Sequence, residues 1–220
     1  VTIQNTPPTT PVNIELKPDP VKVGMQLNAT CNESIDDDGD NIEYYYEFYN
    51  VNDSSILKEW NTTYYYLINS SDAHDLTNIT CGAFDETIFS TSNNSKSIAV
   101  DNTPPIFETF TPQTAYSDLE FNFQVNCSDI DNDIITYGND YTNLFVIDSS
   151  TGFINDTPIE NQSGNYDINI TCSDNQESSW QILSYSINDS IKPRFSNASN
   201  SSDTWQIGDN FTANITISDF

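Results

Sequence analysis

Basic side chains are scarce in this chain: six Lys and Arg stand against 33 Asp and Glu, a net charge of −27 over 220 residues. Such a surface repels a nucleic-acid backbone or an anionic membrane, so neither is an expected partner. Histidine is reduced to His74, which excludes histidine-based triads and multi-histidine metal centres built from this chain alone. His74 stands in a polar turn and reads as a solvated loop residue. Carboxylate pairs abound, but an acidic surface produces them without glycosidase chemistry. No enzymatic activity is expected. No apolar run approaches the roughly 18 residues of a membrane helix, so direct membrane insertion is not expected within this chain. The N-terminus lacks a basic and apolar signal pattern, which puts any export signal or anchor outside these residues.

The aromatic share of 12% and the recurrent Ile and Val alternation argue against disorder. Cysteine is limited to Cys31, Cys81, Cys127 and Cys172. Asn-Ile-Thr precedes both Cys81 and Cys172, while Cys31 and Cys127 both end alternating segments. The pattern is one bridge in each of two repeats, Cys31 with Cys81 and Cys127 with Cys172, and disulfides persist in oxidising surroundings. Asn-x-Ser/Thr occurs 16 times, at Asn28, Asn32, Asn52, Asn61, Asn69, Asn78, Asn93, Asn126, Asn155, Asn161, Asn169, Asn188, Asn197, Asn200, Asn210 and Asn214. With 28 Asn and 48 Ser or Thr in 220 residues, chance gives about 6. N-linked glycans and an extracellular or cell-surface location are therefore expected.

A joint divides the chain. Asp101-Asn-Thr-Pro-Pro-Ile-Phe107 has an earlier copy in Gln4-Asn-Thr-Pro-Pro8 and a looser one in Asp189-Ser-Ile-Lys-Pro-Arg-Phe195. The intervals suit one small domain each. The expected organisation is a closing strand of a preceding domain at 1–5, an Ig-like β-sandwich at 6–102, a second sandwich at 103–190 and the first strands of an incomplete third at 191–220.

Period-two alternation supports an all-β chain of antiparallel sandwiches in a linear array. Inward positions are expected at Val21, Val23 and Met25, then Leu27, Ala29 and Cys31. After an Asp-rich turn at 34–41, Ile42, Tyr44, Tyr46 and Phe48 form the buried face of a strand whose other face is solvated. Residues 60–68 give two short strands or one bent one, 76–81 the bridging strand and 98–100 the closing strand. In the second repeat Phe121, Phe123, Val125 and Cys127 point inward, then Ile135 with Tyr137, and later Tyr166, Ile168, Ile170 and Cys172. Strand and turn signals fall on 145–152. Phe211, Ala213, Ile215 and Ile217 restart the alternation. Ile217 occupies the position of Cys127, so the third repeat lacks that bridge, and its sheet needs further chain or a strand from a neighbour.

The run Asp129-Ile-Asp-Asn-Asp133, Ile135-Thr-Tyr137, Ile147-Asp-Ser-Ser-Thr-Gly152, Thr157-Pro158, Gly164-Asn-Tyr166 and Ile170-Thr-Cys-Ser-Asp174 resembles the cadherin-like, immunoglobulin-like repeats of prokaryotic, including archaeal, cell-surface proteins. The resemblance covers most of 104–190, whereas the first repeat resembles a general Ig-like module. In an Ig-type sandwich the loops after the second strand and after the bridging strand share one end. Asp129, Asp131, Asp133 and Asp174 are thus expected to converge on Asp101 and Asn102, and the resemblance implies a calcium site there. Asp36, Asp37, Asp38 and Asp40 form the matching cluster of the first repeat, with Asp38 and Asp40 as its candidate ligands. Hard carboxylate oxygens on a tight turn suit Ca²⁺. The competing reading is that these Asp side chains only cap turns by accepting backbone N–H groups.

The expected function is structural: a glycosylated, non-enzymatic repeat protein of the cell surface that forms an extracellular filament, stalk or sheath. Its partners are copies of itself or adjoining repeats of a longer chain. Two alternatives stay open, an adhesin binding carbohydrate or a surface receptor, and spacer domains of a larger secreted hydrolase.

Overall fold

The computed structural model describes residues 4–190, 194–199 and 214–218, and they form two compact units. The expected closing strand at 1–3 lies outside the described residues, as do 211–213. The first unit holds the residues up to Ile106 together with Ser128–Ile135 and Ser173–Ser178. Its strands are β1 (Asn13–Lys17), β2 (Val21–Lys22), β3 (Gln26–Asn32), β4 (Glu43–Asn50), β5 (Ile56–Asn61), β6 (Tyr65–Leu67), β7 (Leu76–Phe84) and β8 (Asn94–Asp101). They build a three-stranded sheet in the order β1-β3-β6 and a five-stranded sheet in the order β2-β8-β7-β4-β5.

Alternation explains the sandwich. In β3, Leu27, Ala29 and Cys31 are buried while Gln26, Thr30 and Asn32 are exposed. β1 lies antiparallel with Ile14 opposite Cys31 and Leu16 opposite Ala29, so four inward side chains stack on one face. From the facing sheet Phe48, Ile79 and Cys81 meet them. The Cys31–Cys81 bridge crosses this core from one sheet to the other.

Several expectations change in the first unit. Met25 is 41% exposed, because Gly24 turns the chain at φ 83° and breaks the alternation that began at Val21. Residues 60–68 supply two strands in different sheets, the chain leaving the five-stranded sheet after Asn61 and entering the other at Tyr65. The outer face of β4 is not simply solvated. Tyr45 packs edge-on to Phe84 and Phe89, at 5.7 and 5.1 Å between ring centroids, and stacks on Trp60 at 6.5 Å. β1 carries only Ile14 and Leu16 between Pro11 and Pro18, so turn-forming neighbours hide its alternation in the sequence.

The following strands are β9 (Ile106–Phe107), β10 (Gln113–Tyr116), β11 (Phe121–Gln124), β12 (Cys127–Ser128), β13 (Thr136–Asn139), β14 (Phe153–Asp156), β15 (Gly164–Ser173) and β16 (Ser178–Asn188). The second unit is organised on a sheet in the order β10-β16-β15-β13 and on the antiparallel pair β11-β14. Its core contains Val125, Ile154, Ile168, Ile170, Leu183 and Tyr185, and Cys127 is bonded to Cys172. Phe123 and Cys127 are only half-buried. The signals on 145–152 mark a buried connection more than a strand: Phe145 and Ile147 are in the core, and Ile147 makes a single bridge with Ile154 of β14. β16 carries no single apolar stripe in the sequence: its burial alternates, but Trp180 and Ile182 fall on the outward positions while Leu183, Tyr185 and Ile187 fall on the inward ones. Finally β17 (Arg194–Ser199) and β18 (Asn214–Ser218) pair antiparallel, Phe195 opposite Ile217. The described residues therefore form an all-β protein built from packed β-sheets.

Candidate joint and cation site

Two copies of one arrangement occur in the first unit. In the first copy the Asn5 amide donates to Asp85 Oδ2 at 2.8 Å and the Thr6 N–H donates to Asp38 Oδ2 at 2.6 Å. In the second the Asn102 amide donates to Asp174 Oδ2 at 2.9 Å and the Thr103 N–H to Asp131 Oδ2 at 2.5 Å. Each Asn-Thr-Pro-Pro segment is thus pinned to two carboxylates from two different loops. Proline cannot donate and holds φ near −65°, so Asn and Thr supply the donors from a stiffened segment.

The loops that carry the carboxylates also match. The Asp38 N–H donates to Asp36 Oδ1 at 2.9 Å, as the Asp131 N–H does to Asp129 Oδ1 at 2.8 Å. Each Asp-x-Asp-x-Asp loop turns through a left-handed residue before its last aspartate, Gly39 at φ 83° and Asn132 at φ 64°, a conformation that Gly and Asn tolerate best. Asp85 Oδ1 accepts the N–H groups of Thr87 and Ile88 at 2.8 and 2.7 Å. Asp174 Oδ1 accepts those of Gln176 and Glu177 at 2.7 and 2.6 Å. The turn-capping role foreseen among the aspartates is therefore present at Asp36, Asp129 and Asp174, and Asp85 has it as well.

Capping leaves oxygens over. Asp36 Oδ2 in one copy, and Asp129 Oδ2, Asp131 Oδ1 and the Asn102 Oδ1 carbonyl in the other, are buried without a hydrogen-bond partner. Carboxylate oxygens of Asp36, Asp38 and Asp40 all lie within 4.8 Å of one another. Unsatisfied, hard, anionic oxygens in this number suit a divalent cation of the calcium type.

Electrostatics divide the aspartates into two kinds. Burial opposes ionisation of Asp85 and Asp174, but the N–H groups of Ile88 and Glu177, with the Asn5 and Asn102 amides, outweigh it and hold both carboxyls below their ordinary value. Burial raises Asp129, and the charges of Asp131 and Asp133 add to the shift. Asp40 is raised by partial desolvation and then by Asp36, Asp85 and Asp38. Asp129 and Asp40 are thus crowded anions in want of a counter-charge.

The remaining foreseen residues fall close by. Asp101 ends β8, exposed, and with Lys22, His74, Asn102, Gln176 and Glu177 lines a polar cleft of about 450 Å³. His74 is not a free loop side chain: its Nε2 lies 2.8 Å from Asp133 Oδ2. Asp85, Asn5 and Glu177 escaped the sequence reading. The repeated Asn-Thr-Pro-Pro could have found Asn5, but Asp85 stands four residues after its cysteine and Asp174 only two, which hid their equivalence. Of the twelve sequon asparagines from Asn28 to Asn188, none is buried.

No family model matches the sequence, and no curated protein matches it. Among solved structures the chain is similar to domains EC1-2 of human protocadherin-24, at 15% identity over 84% of this chain and 99% of that one, with a TM-score of 0.37. Mouse cadherin-23 EC22-24 gives 12% identity over 98% and 80%, with a TM-score of 0.42. An endo-fucoidan hydrolase from glycoside hydrolase family 107 gives 15% over 83% and 27%, with a TM-score of 0.37. The chain spans about a quarter of that hydrolase chain and 56% of the PcdhgB3 EC1-4 chain it also matches. Overlap of this order assigns neither family nor activity, and the fold stands on the strands and cores described above. Among the described residues no helix is long and apolar enough to cross a membrane.

Proposed function

We propose that this chain is part of a non-enzymatic, extracellular repeat protein, a glycosylated stalk, filament or sheath component whose joints are fixed by carboxylate locks. The observation that carries the reading is the duplication of the lock, Asn5 and Thr6 on Asp85 and Asp38, Asn102 and Thr103 on Asp174 and Asp131. A binding surface needs one good site, whereas a mechanical array needs the same joint at every interval. Two disulfide-bridged cores suit an oxidising compartment and resist unfolding under load. Calcium, held by Asp36, Asp38 and Asp40 in one copy and by Asp129, Asp131, Asp133 and the Asn102 carbonyl in the other, would neutralise the crowded anions. Asp174, whose oxygens accept three hydrogen bonds, orients Asn102. Glycans on the exposed sequons would shield strand edges and faces from pairing with other chains.

Electron microscopy of native material tests the reading. It expects continuous polymers or long stalks in which these sandwiches repeat. A chain capped by one unique terminal domain at low copy number would overturn it in favour of an adhesin. That second reading has an observation of its own, the partly exposed ring cluster of Tyr45, Trp60, Phe84 and Phe89 on the outer face of the five-stranded sheet.

A further inference from the structure

The two locks differ in one ligand. Beside Asp36, Asp38 and Asp40 the candidate donors are all oxygens, but in the second copy His74, Asp131 and Asp133 bring a ring nitrogen and two carboxylates within 4.8 Å of one another. We propose that His74 Nε2, Asp131 and Asp133 form a binding site for a zinc-class divalent ion, distinct in preference from the oxygen-only cluster. Imidazole is a borderline nitrogen donor that favours zinc-like ions, whereas calcium takes oxygen ligands.

Three observations carry the site. Asp131 is 5% exposed, one of its oxygens is held by the Thr103 N–H, and the other, Oδ1, is buried without a partner. The Thr103 bond fixes that carboxylate, so its free oxygen is oriented before an ion arrives. His74 Nε2 and Asp133 Oδ2 already meet at 2.8 Å, with side chains 35% and 25% exposed, so ligands are gathered while a path to solvent remains. Zinc–ligand distances near 2.1 Å in a tetrahedron separate two ligand atoms by about 3.4 Å. The pair therefore opens by about 0.6 Å, and the ion takes the place of the direct contact between them. On the far side of the ring, His74 Nδ1 is 3.4 Å from the Gln176 amide nitrogen. Turning that amide over would present its oxygen to the Nδ1–H that metal binding at Nε2 requires. Water would complete the coordination. The inference shares with the proposed function only the premise that Asp131 and Asp133 take a cation.

The test is titration of the full chain with zinc chloride and, in a parallel arm, with calcium chloride. The ring resonances of the single histidine are followed by nuclear magnetic resonance together with calorimetry. His74→Asn keeps a residue type tolerant of the φ of 62° found at this position, and Asp133→Asn removes the second ligand charge. The expected result is one zinc per chain in the wild type, perturbing the ring, with affinity at least tenfold weaker in each variant and an unaltered calcium response in His74→Asn. Equal zinc binding by wild type and His74→Asn, or none by the wild type, would overturn the site. A missing calcium response with zinc binding intact would strike the calcium reading alone. Metal-free melting of both variants separates lost ligation from lost folding.

Discussion

Gly152 closes the Asp148-Ser-Ser-Thr-Gly turn at φ 71°, and a Cβ there would lie 2.5 Å from the Val125 carbonyl oxygen and 2.9 Å from the Tyr137 ring. Gly152→Ala combines a left-handed backbone with a clash against main chain. It should lower stability by about 2–4 kcal/mol, read as a lower thermal midpoint. Gly82 lies under Trp60, where a Cβ would approach the ring to 2.9 Å. Gly82→Ala should cost about 1–2 kcal/mol and change Trp60 fluorescence, because the indole must lift off β7. In the same turn, Ser150 and Thr151 donate to Asp148 through hydroxyl and backbone groups and hold its carboxyl down at about 2. A depressed carboxyl contributes stability above its ordinary value near 3.9 and loses it as pH falls through the folded value. Acid titration of stability should therefore show a segment between about pH 4 and pH 2 that Asp148→Asn flattens. The Ser-Thr-Gly run was legible as a motif in the sequence. Its physical reason, the carbonyl facing Gly152, needed the fold.

At the scale of elements, paired strands explain where sequence reading slipped. The Cys31 N–H donates to the Tyr46 hydroxyl at 3.3 Å, and the Cys127 N–H to that of Tyr137 at 3.2 Å. Counted from the last aspartate of each Asp loop, Tyr137 matches Tyr44, yet the bonding equates Tyr137 with Tyr46. The same two-residue offset separates Asp85 from Asp174 when counted from Cys81 and Cys172. β4 and β7 pair Tyr46 with Cys81, so both strands are longer by two residues beyond that rung. An even insertion on both partners keeps every side chain on its own face, which is why the core pattern survived while the loop equivalence was obscured. The alternating strands around the cysteines were legible because burial alone fixes their period. β1 and β16 were not, one masked by prolines and the other apolar on both faces. The lock makes its own prediction. Asp174→Ala strands the Gln176 and Glu177 N–H groups and the Asn102 amide, and should cost about 1–3 kcal/mol. Asp85→Ala should do the same in the first copy, measured by denaturant unfolding.

For the whole molecule, covalent and ionic ties act on different variables. Each bridge closes a loop of 50 or 45 residues, and on the chain-entropy model its removal costs about 4 kcal/mol. Reduction should therefore bring a large fall in melting temperature whether or not calcium is present. The cation response should depend on pH. Asp129 and Asp40 have raised folded-state values, so their contribution is favourable while protonated and is lost as pH rises through them. Above that range the anions repel and a cation has most to offset. The calcium-induced rise in melting temperature should be largest near neutral pH and vanish toward pH 3, with chelator as the control. Acidic clusters and sequons were readable as composition. That Asn5 and Asn102 close on Asp85 and Asp174 was not, since such pairing over 72 to 80 residues of separation leaves no local signal.

The most direct measurement is amide hydrogen exchange at Thr6 and Thr103 in the full chain, followed by nuclear magnetic resonance. Twin locks predict that both N–H groups are protected, and that Asp131→Asn weakens protection at Thr103 while leaving Thr6 as it was. Free exchange of both amides in the wild-type chain would contradict the duplicated joint.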